Sequence, residues 1–388
     1  MELRTMKTIK SVFVGLSLII SVSSVYCQTP RLVTNHYDRK SKEITKLYPE
    51  RSVIYDPANG WSYAHHPSLA VFNGRLYAIF SNGHAGEDEP GQRIMLTVSD
   101  NFTDWSDPVP ILEPEMGKYG QYKILTPGGI SVINGKLVIH YTENDNDGRS
   151  NRRIDPVLYA VTSDDGQTWS EPINLSLRIF PCQRPLQLSN GRLLLTGNTL
   201  VYYTDDPSGT GIWHRCRMGM PKYQDGAITF DDVKPSLCEG ALFEHNDGTV
   251  FCVLRSTGKT YDGYLWQMQS NDGGISWSLP VKSGFTDSNS KSYFGRLPDG
   301  RYLYVGTPDK RRPGDRHPLV LAISDDGYDF DRTYILSDDH YSQLYPGRWK
   351  GGDYGYPFAI ADDGYIYVIV SRHKERMEIL RIETEELR

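Results

Sequence analysis

Thr162-Ser163-Asp164-Asp165-Gly166-Gln167-Thr168-Trp169 has the form Ser/Thr-x-Asp-x-Gly-x-Thr-Trp. A carboxylate in such a stretch accepts hydrogen bonds from backbone N–H groups ahead of it and closes a tight turn. The glycine takes a backbone conformation other residues resist. The tryptophan turns back and covers apolar surface between sheets. The motif recurs as Ser270-Asn271-Asp272-Gly273-Gly274-Ile275-Ser276-Trp277. Asp325-Asp326-Gly327-Tyr328-Asp329-Phe330 carries Phe at the anchor, and Asp100-Asn101-Phe102-Thr103-Asp104-Trp105 has lost the glycine. A stretched copy runs from Asp206 through Gly209 to Trp213. Asp164, Asp272 and Asp325 are expected to form the turns. Repeats of this period, each one small sheet, mark a propeller or array.

A second repeat interleaves with the first. Asn73-Gly74, Asn134-Gly135, Asn190-Gly191, Asp247-Gly248, Asp299-Gly300 and Asp363-Gly364 each sit between apolar runs. Asn-Gly and Asp-Gly in that setting signal β-hairpins. The expected fold is all-β: one β-propeller with six four-stranded antiparallel blades by repeat count, and a seventh not ruled out by the terminal segments. Thr45-Lys46-Leu47-Tyr48 or Ser52-Val53-Ile54-Tyr55 would lend the strand that closes the ring and leaves no open edge.

Arg4, Lys7 and Lys10 precede an apolar run from Ser11 to Val25. Residues 1–27 therefore read as a secretory signal peptide and residues 28–388 as the propeller, which would place the protein outside the cytoplasm, secreted or periplasmic. Lipid anchoring at Cys27 is the rival, disfavoured by the bulky Tyr26. No other stretch is apolar enough to span a bilayer. The formal net charge of −6 argues against a nucleic-acid partner. Cys182, Cys216, Cys238 and Cys252 fit no zinc spacing and read as small buried residues. Glu143 to Gly148 resembles the opening of a calcium loop but has Ile154 at the twelfth position, and reads as a polar turn. No metal or other cofactor is expected, with structural calcium the one ion left open, and the chain reads as a monomer.

Aligning the units on their turn glycines places chemistry. The ninth position before each glycine and the seventh after it should ring one mouth of a central channel. These positions give His65 and Ser81, Thr126 and Thr142, Cys182 and Asn198, Glu239 and Arg255, Lys291 and Thr307, and Gly355 and Ser371. His66, His84, Glu143, Arg184, Tyr354, Tyr356, Arg372 and His373 lie beside them. Structural positions in a repeat should look alike, whereas these differ from unit to unit and are rich in acid–base and anion-binding groups. Since alternate strand residues face opposite ways, one of His65 and His66 at most should face the channel.

The Asp turns resemble the Asp boxes of the sialidase superfamily of β-propellers. The segment from Glu239 to Arg255 is similar to the sialidase stretch in which a Glu precedes an Arg by sixteen positions. The resemblance implies that the Glu activates a Tyr nucleophile, near Tyr354 or Tyr356, and that the Arg grips a substrate carboxylate. The sialidase Arg-Ile-Pro opening is missing. Ala64-His65-His66-Pro67 and the stretch from Asn82 to Gln92 stand in the first unit instead. A histidine-bearing first unit resembles secreted propeller enzymes of plant and algal polysaccharides, the rhamnosyl-glucuronate α-L-rhamnosidases and the ulvan lyases.

The expected activity is a glycoside hydrolase acting on an acidic, uronate-containing oligo- or polysaccharide. A lyase of the ulvan-lyase type, an exo-α-sialidase and a non-catalytic carbohydrate-binding propeller are the alternatives. The candidate catalytic residues are His66, His84, Glu239 and Tyr356. The candidate substrate-binding residues are His65, Arg184, Arg255, Tyr354 and Arg372.

Overall fold

The structure is a computed structural model. It describes residues 31–387 apart from 42, 150–152, 182, 198, 219–221, 225–226 and 230–235. The signal-peptide segment, Cys27, Cys182 and Asn198 lie outside the described residues.

The chain is an all-β propeller, its helix confined to the 3-10 turns Gly258–Thr260 and Thr384–Glu386 among the described residues. Each Asn/Asp-Gly pair turns an innermost strand into the next, as in Tyr63–Phe72 to Arg75–Gly83 and Gly355–Asp362 to Tyr365–Arg372. At these turns Asn73, Asn134 and Asp363 hold φ of 50°, 49° and 44°, each followed by a positive-φ glycine. That is the two-residue turn whose twist matches the strands it joins.

The sheets are not uniform. Those led by Tyr63–Phe72, Ile124–Ile133, Leu186–Gln187 and Gly355–Asp362 have four strands. The sheet led by Tyr293–Arg296 has five, because Thr45–Lys46 adds in parallel to Arg332–Ser337. The sheet led by Ser236–Glu244 has six, because Thr34–Asn35 joins it in parallel and pairs also with Asp329–Phe330. The expected set of six four-stranded blades therefore does not stand. Repeat counting sees the hairpins and misses short parallel strands that the N-terminal segment adds from outside the repeat. Glu50–Tyr55 pairs antiparallel with Arg376–Glu383 and so brings the beginning of the propeller onto its end.

The Asp turns form with a shifted register. Ser163 Oγ accepts the Gly166 N–H at 2.8 Å and donates to Asp165 Oδ1 at 3.0 Å. Asp165 Oδ1 in turn accepts the N–H groups of Gln167 and Thr168, both at 2.8 Å. Ser270 with Asp272 and Ser324 with Asp326 repeat the arrangement. Asp272 is thus a turn former as expected. Asp164 and Asp325 are exposed and face Lys136 and Arg332, because the serine two residues earlier selects Asp165 and Asp326. In the copy without glycine, Asn101 takes the Asp place, and Phe102 takes the Gly place at φ 73°.

Trp277, Trp213 and Phe330 are buried in the cores between sheets, and the indole N–H groups of Trp277 and Trp213 reach Gly274 O and Gly209 O. Trp169 and Trp105 are only partly buried and cap their cores from the side. Cys216 and Cys252 are buried, and Cys238 is half-buried. No helix among the described residues is long and apolar enough to cross a membrane.

Two measurements check this reading of the turns. Asp165→Ala should lower the melting temperature while Asp164→Ala leaves it unchanged. Trp277→Ala should cost about 3–5 kcal/mol in denaturant unfolding, and Trp169→Ala distinctly less.

Candidate functional site

A cavity of about 320 Å³ opens where the innermost strands begin. It is lined by His66, Glu87, Asp88, Thr126, Arg153, Phe180, Pro181, Cys238, Glu239, Arg255, Arg316, Trp349, Tyr356 and Lys374. The strands break register as they enter it, between His65 and Ser68, Pro127 and Gly129, Cys238 and Gly240, and Gly355 and Phe358. A bulge bends a strand and re-aims a side chain that alternation would have sent into the sheet. His66 and Tyr356, each followed by proline, take φ of 52° and 50° at these breaks. Asp88, Arg316, Trp349 and Lys374 also have positive φ, so six of the cavity-lining residues hold a conformation unusual for a residue with a side chain. Such strain costs roughly 1–3 kcal/mol per residue and gathers at functional sites.

The centre of the cavity is a triad from distant sheets. Tyr356 Oη donates a hydrogen bond to Glu239 Oε1. Arg255 Nη1 donates to both Glu239 oxygens at 3.1 Å and to Tyr356 Oη at 3.2 Å, while its Nε donates to Asn289 Oδ1 at 2.8 Å. Burial, and then the charge of Glu239, push the Tyr356 phenol well above its ordinary range. Burial would also raise Glu239, but Arg255 and its hydrogen-bonded neighbours outweigh that and hold its carboxyl below the ordinary value. The pair therefore consists of a neutral phenol and an ionised carboxylate positioned to take its proton.

Around the triad the charges are matched, with one exception. Lys374 Nζ bonds Glu87 Oε2 at 2.5 Å, and Arg153 forks onto Asp88 at 3.1 and 3.2 Å. His66 Nε2 lies 3.3 Å from Glu87 Oε1, and its Nδ1 meets Ser81 Oγ at 3.0 Å. Arg316 is 8 % exposed, sits 5.4 Å above the Tyr356 ring, and its Nε and Nη1 are buried without a hydrogen-bond partner. Buried donors of this kind are paired in the great majority of cases. At the rim Trp349 leaves 65 % of its surface to solvent.

His66, Glu239, Arg255 and Tyr356 thus meet as the repeat alignment predicts. His65 is fully buried beneath them, with its ring 4.2 Å from that of Tyr356 and its Nδ1 bonded to Ser371 Oγ. The other candidates do not line the cavity. His84 is exposed, its ring tilted against that of Trp61 with centroids 4.1 Å apart and its Nδ1 bonded to Gly60 O, so it braces a surface turn. Tyr354 is buried and donates to Ser337 and Asp339. Arg372 is buried on Asp339 and Glu378, which it shares with Arg51 of the closing strand. Arg184 lines a larger cavity of about 850 Å³ toward the far ends of the innermost strands, beside Tyr293 and Phe358. Tyr354 and Tyr356 stand two residues apart, which alternation alone would place on one face; the register break between Gly355 and Phe358 and the positive φ of Tyr356 send them apart.

Arg153, Arg316, Trp349, Glu87, Asp88 and Lys374 escaped the repeat alignment because they stand on loops of unequal length. The one signal for them was dense charge in the Asn82–Gln92 stretch and after Arg372. His65, His66 and Glu87 have the donor types and spacing to hold a metal. The Lys374 ammonium already neutralises Glu87 there, which disfavours a cation.

The wider comparisons agree with this architecture. Residues 74–368 match the family model described as BNR repeat-like domain. Among solved structures the chain is similar to a sialidase, with TM-score 0.63 and 19 % identity over 91 % of this chain and 35 % of that one. It is similar to a protein of unknown function from Dyadobacter fermentans, with TM-score 0.63 and 19 % identity over 86 % and 98 % of the two chains. It is also similar to the Trypanosoma rangeli sialidase in complex with 2,3-difluorosialic acid, described as a covalent intermediate, with TM-score 0.62 and 14 % identity over 89 % and 60 %. The chain spans about a third of the first of these sialidases and less than two thirds of the trypanosomal one. No curated protein matches it.

Asp287 gives the site environment a pH signature. Burial raises its carboxyl from 3.8 to about 7, against the pull of Arg255 and the N–H groups of Ser290 and Asn289. An acid raised by folding favours the folded state when protonated. That contribution is complete below about pH 4, is lost as pH rises to about 7, and stays lost above it. The melting temperature of the native protein should therefore fall relative to Asp287→Asn between pH 4 and 7. Parallel curves would show that Asp287 titrates normally.

Proposed function

The chain belongs to the BNR repeat-like domain family, and on that premise we propose that it is a glycoside hydrolase acting on an acidic, uronate-containing glycan. The observation that carries the reading is Arg316, a buried guanidinium with unpaired donors facing the cavity beside the Tyr356–Glu239 pair. A planar guanidinium matches a carboxylate with two parallel hydrogen bonds. Arg255, given the carboxylate-gripping role on sequence grounds, is occupied by Glu239, Tyr356 and Asn289 and so aligns the reacting pair.

In this mechanism Arg316 seats the sugar carboxylate, and exposed Trp349 offers a flat face to the ring. Tyr356 Oη attacks the anomeric carbon as Glu239 takes the phenolic proton, which removes the barrier that a raised phenol would otherwise present. The glycosidic oxygen leaves with a proton from His66, so one C–O bond forms as the other breaks. Water then attacks the anomeric carbon and gives a proton to His66, while the bond to the tyrosine oxygen breaks and Glu239 returns the phenolic proton to Tyr356. A tyrosine nucleophile is an established variant of glycoside hydrolysis.

The edge-on approach of His66 and Tyr356, with ring centroids 5.6 Å apart, supports a second reading as a lyase, one ring taking a proton and the other giving one. Ultraviolet absorbance of an unsaturated uronate product separates the two. The apolar leader at residues 11–25 accords with action outside the cytoplasm.

The test is turnover of a panel of uronate-rich polysaccharides and sialosides, with melting curves alongside. Arg316→Met should lower kcat/KM by roughly tenfold to a hundredfold or more, since a charge-assisted bond contributes about 1.5–3 kcal/mol. The same change should leave stability equal or higher, because it removes an unpaired buried charge. Tyr356→Phe should abolish hydrolysis. Native turnover in both variants, or absence of turnover on every acidic glycan, contradicts the assignment.

A further inference from the structure

A second cluster, independent of the cavity just described, is made by three histidines and one carboxylate. His317 precedes the strand Leu319–Ser324. His340 lies on the loop after Arg332–Ser337, Asp353 stands just before Gly355–Asp362, and His373 follows Tyr365–Arg372. Asp353 Oδ2 is 2.5 Å from His340 Nδ1 and 3.1 Å from His317 Nδ1, while Oδ1 is 3.1 Å from His373 Nε2. The His317 and His340 rings stack at 4.2 Å and 12°, and both Nδ1 atoms face the same Asp353 Oδ2. Asp353 is buried at the base of a cavity of about 290 Å³ that all four residues line.

We propose that His317, His340 and Asp353 bind a divalent transition metal of the zinc class, with His373 holding the second carboxylate oxygen in position. Three features of the geometry support this. The donor atoms of the three ligands lie within 4.8 Å of one another. Ligands at 2.0–2.1 Å around tetrahedral zinc stand roughly 3.3 Å apart; His317 Nδ1 and Asp353 Oδ2 are 3.1 Å apart, and exposed His340, now hydrogen-bonded to that oxygen at 2.5 Å, would move outward to admit the ion. The buried His317 Nδ1 stands 3.1 Å from Asp353 Oδ2, so as a neutral imidazole it can turn its lone pair to a cation held by that carboxylate. Two imidazoles and one carboxylate, with the cavity supplying room for water at a fourth position, form an open N/O site. A partner on the distal oxygen of a ligating carboxylate is the usual supporting arrangement. The two arginines lining the cavity face other carboxylates, Arg39 on Asp309 at 3.0 Å and Arg312 near Asp315, at the cavity wall, at 3.9 Å.

The experiment is titration of chelator-stripped, tag-free protein with Zn²⁺ by calorimetry and with Co²⁺ by visible absorption. One equivalent should bind, and cobalt should show the ligand-field bands of nitrogen ligation. His340 is largely exposed, so His340→Ala keeps the fold, and it should weaken binding at least tenfold. His373→Ala should weaken it by about tenfold to a hundredfold through loss of carboxylate positioning. His66→Ala should bind as the native chain does. Absence of saturable binding, or unchanged affinity in His340→Ala, overturns the proposal. Loss of binding in His66→Ala would also overturn it, by placing the ion at His65, His66 and Glu87.

Discussion

The pairing of Glu50–Tyr55 with Arg376–Glu383 is the constraint on which the site depends. His66 belongs to the first sheet of the ring and Tyr356 to the last, and they touch because this strand closes one against the other. A continuous core spans the seam, with Ala64, Leu69 and Phe80 packed on Phe358, Ile369 and Ile379. Arg51 and Arg372 add an ionic lock by sharing buried Glu378 and exposed Asp339. Arg372 and Tyr354 thus belong to the frame that brings His66 and Tyr356 together.

The frame also tolerates a burden. Six cavity residues occupy left-handed backbone conformations, and several charges are taken out of water in one place. Such an arrangement persists when the surroundings over-determine it. The bulges sit at the entrance of well-packed strands, and the serine–aspartate turns fix the outer corners where the sheets would otherwise splay. Stability is concentrated in the repeated parts, and the unrepeated parts are left to carry the reactive groups.

This division explains what was legible in the sequence. The hairpins and Asp turns repeat, because each solves the same local problem, and they announced an all-β propeller. Glu239, Arg255, His66 and Tyr356 were legible because they occupy or adjoin equivalent positions in different repeats. Arg316, Trp349 and Lys374 were not, since loops of unequal length carry them and no register predicts where a loop side chain points. The shift from Asp164 to Asp165 has a similar origin: adjacent aspartates look alike in sequence, and the serine hydroxyl decides which one closes the turn. The parallel additions of Thr34–Asn35 and Thr45–Lys46 lie outside any repeat, which is why uniform four-stranded sheets were expected.

The central claim is that Tyr356, activated by Glu239 and aligned by Arg255, bonds to the anomeric carbon of an acidic sugar. Its most direct measurement is peptide mass mapping after reaction with a fluorinated sugar-acid glycosyl fluoride, which slows release of a covalent intermediate. The account predicts one added sugar-acid mass on the peptide containing Tyr356, lost in Tyr356→Phe. An adduct on a different residue, or none while the natural glycan is turned over, would contradict it.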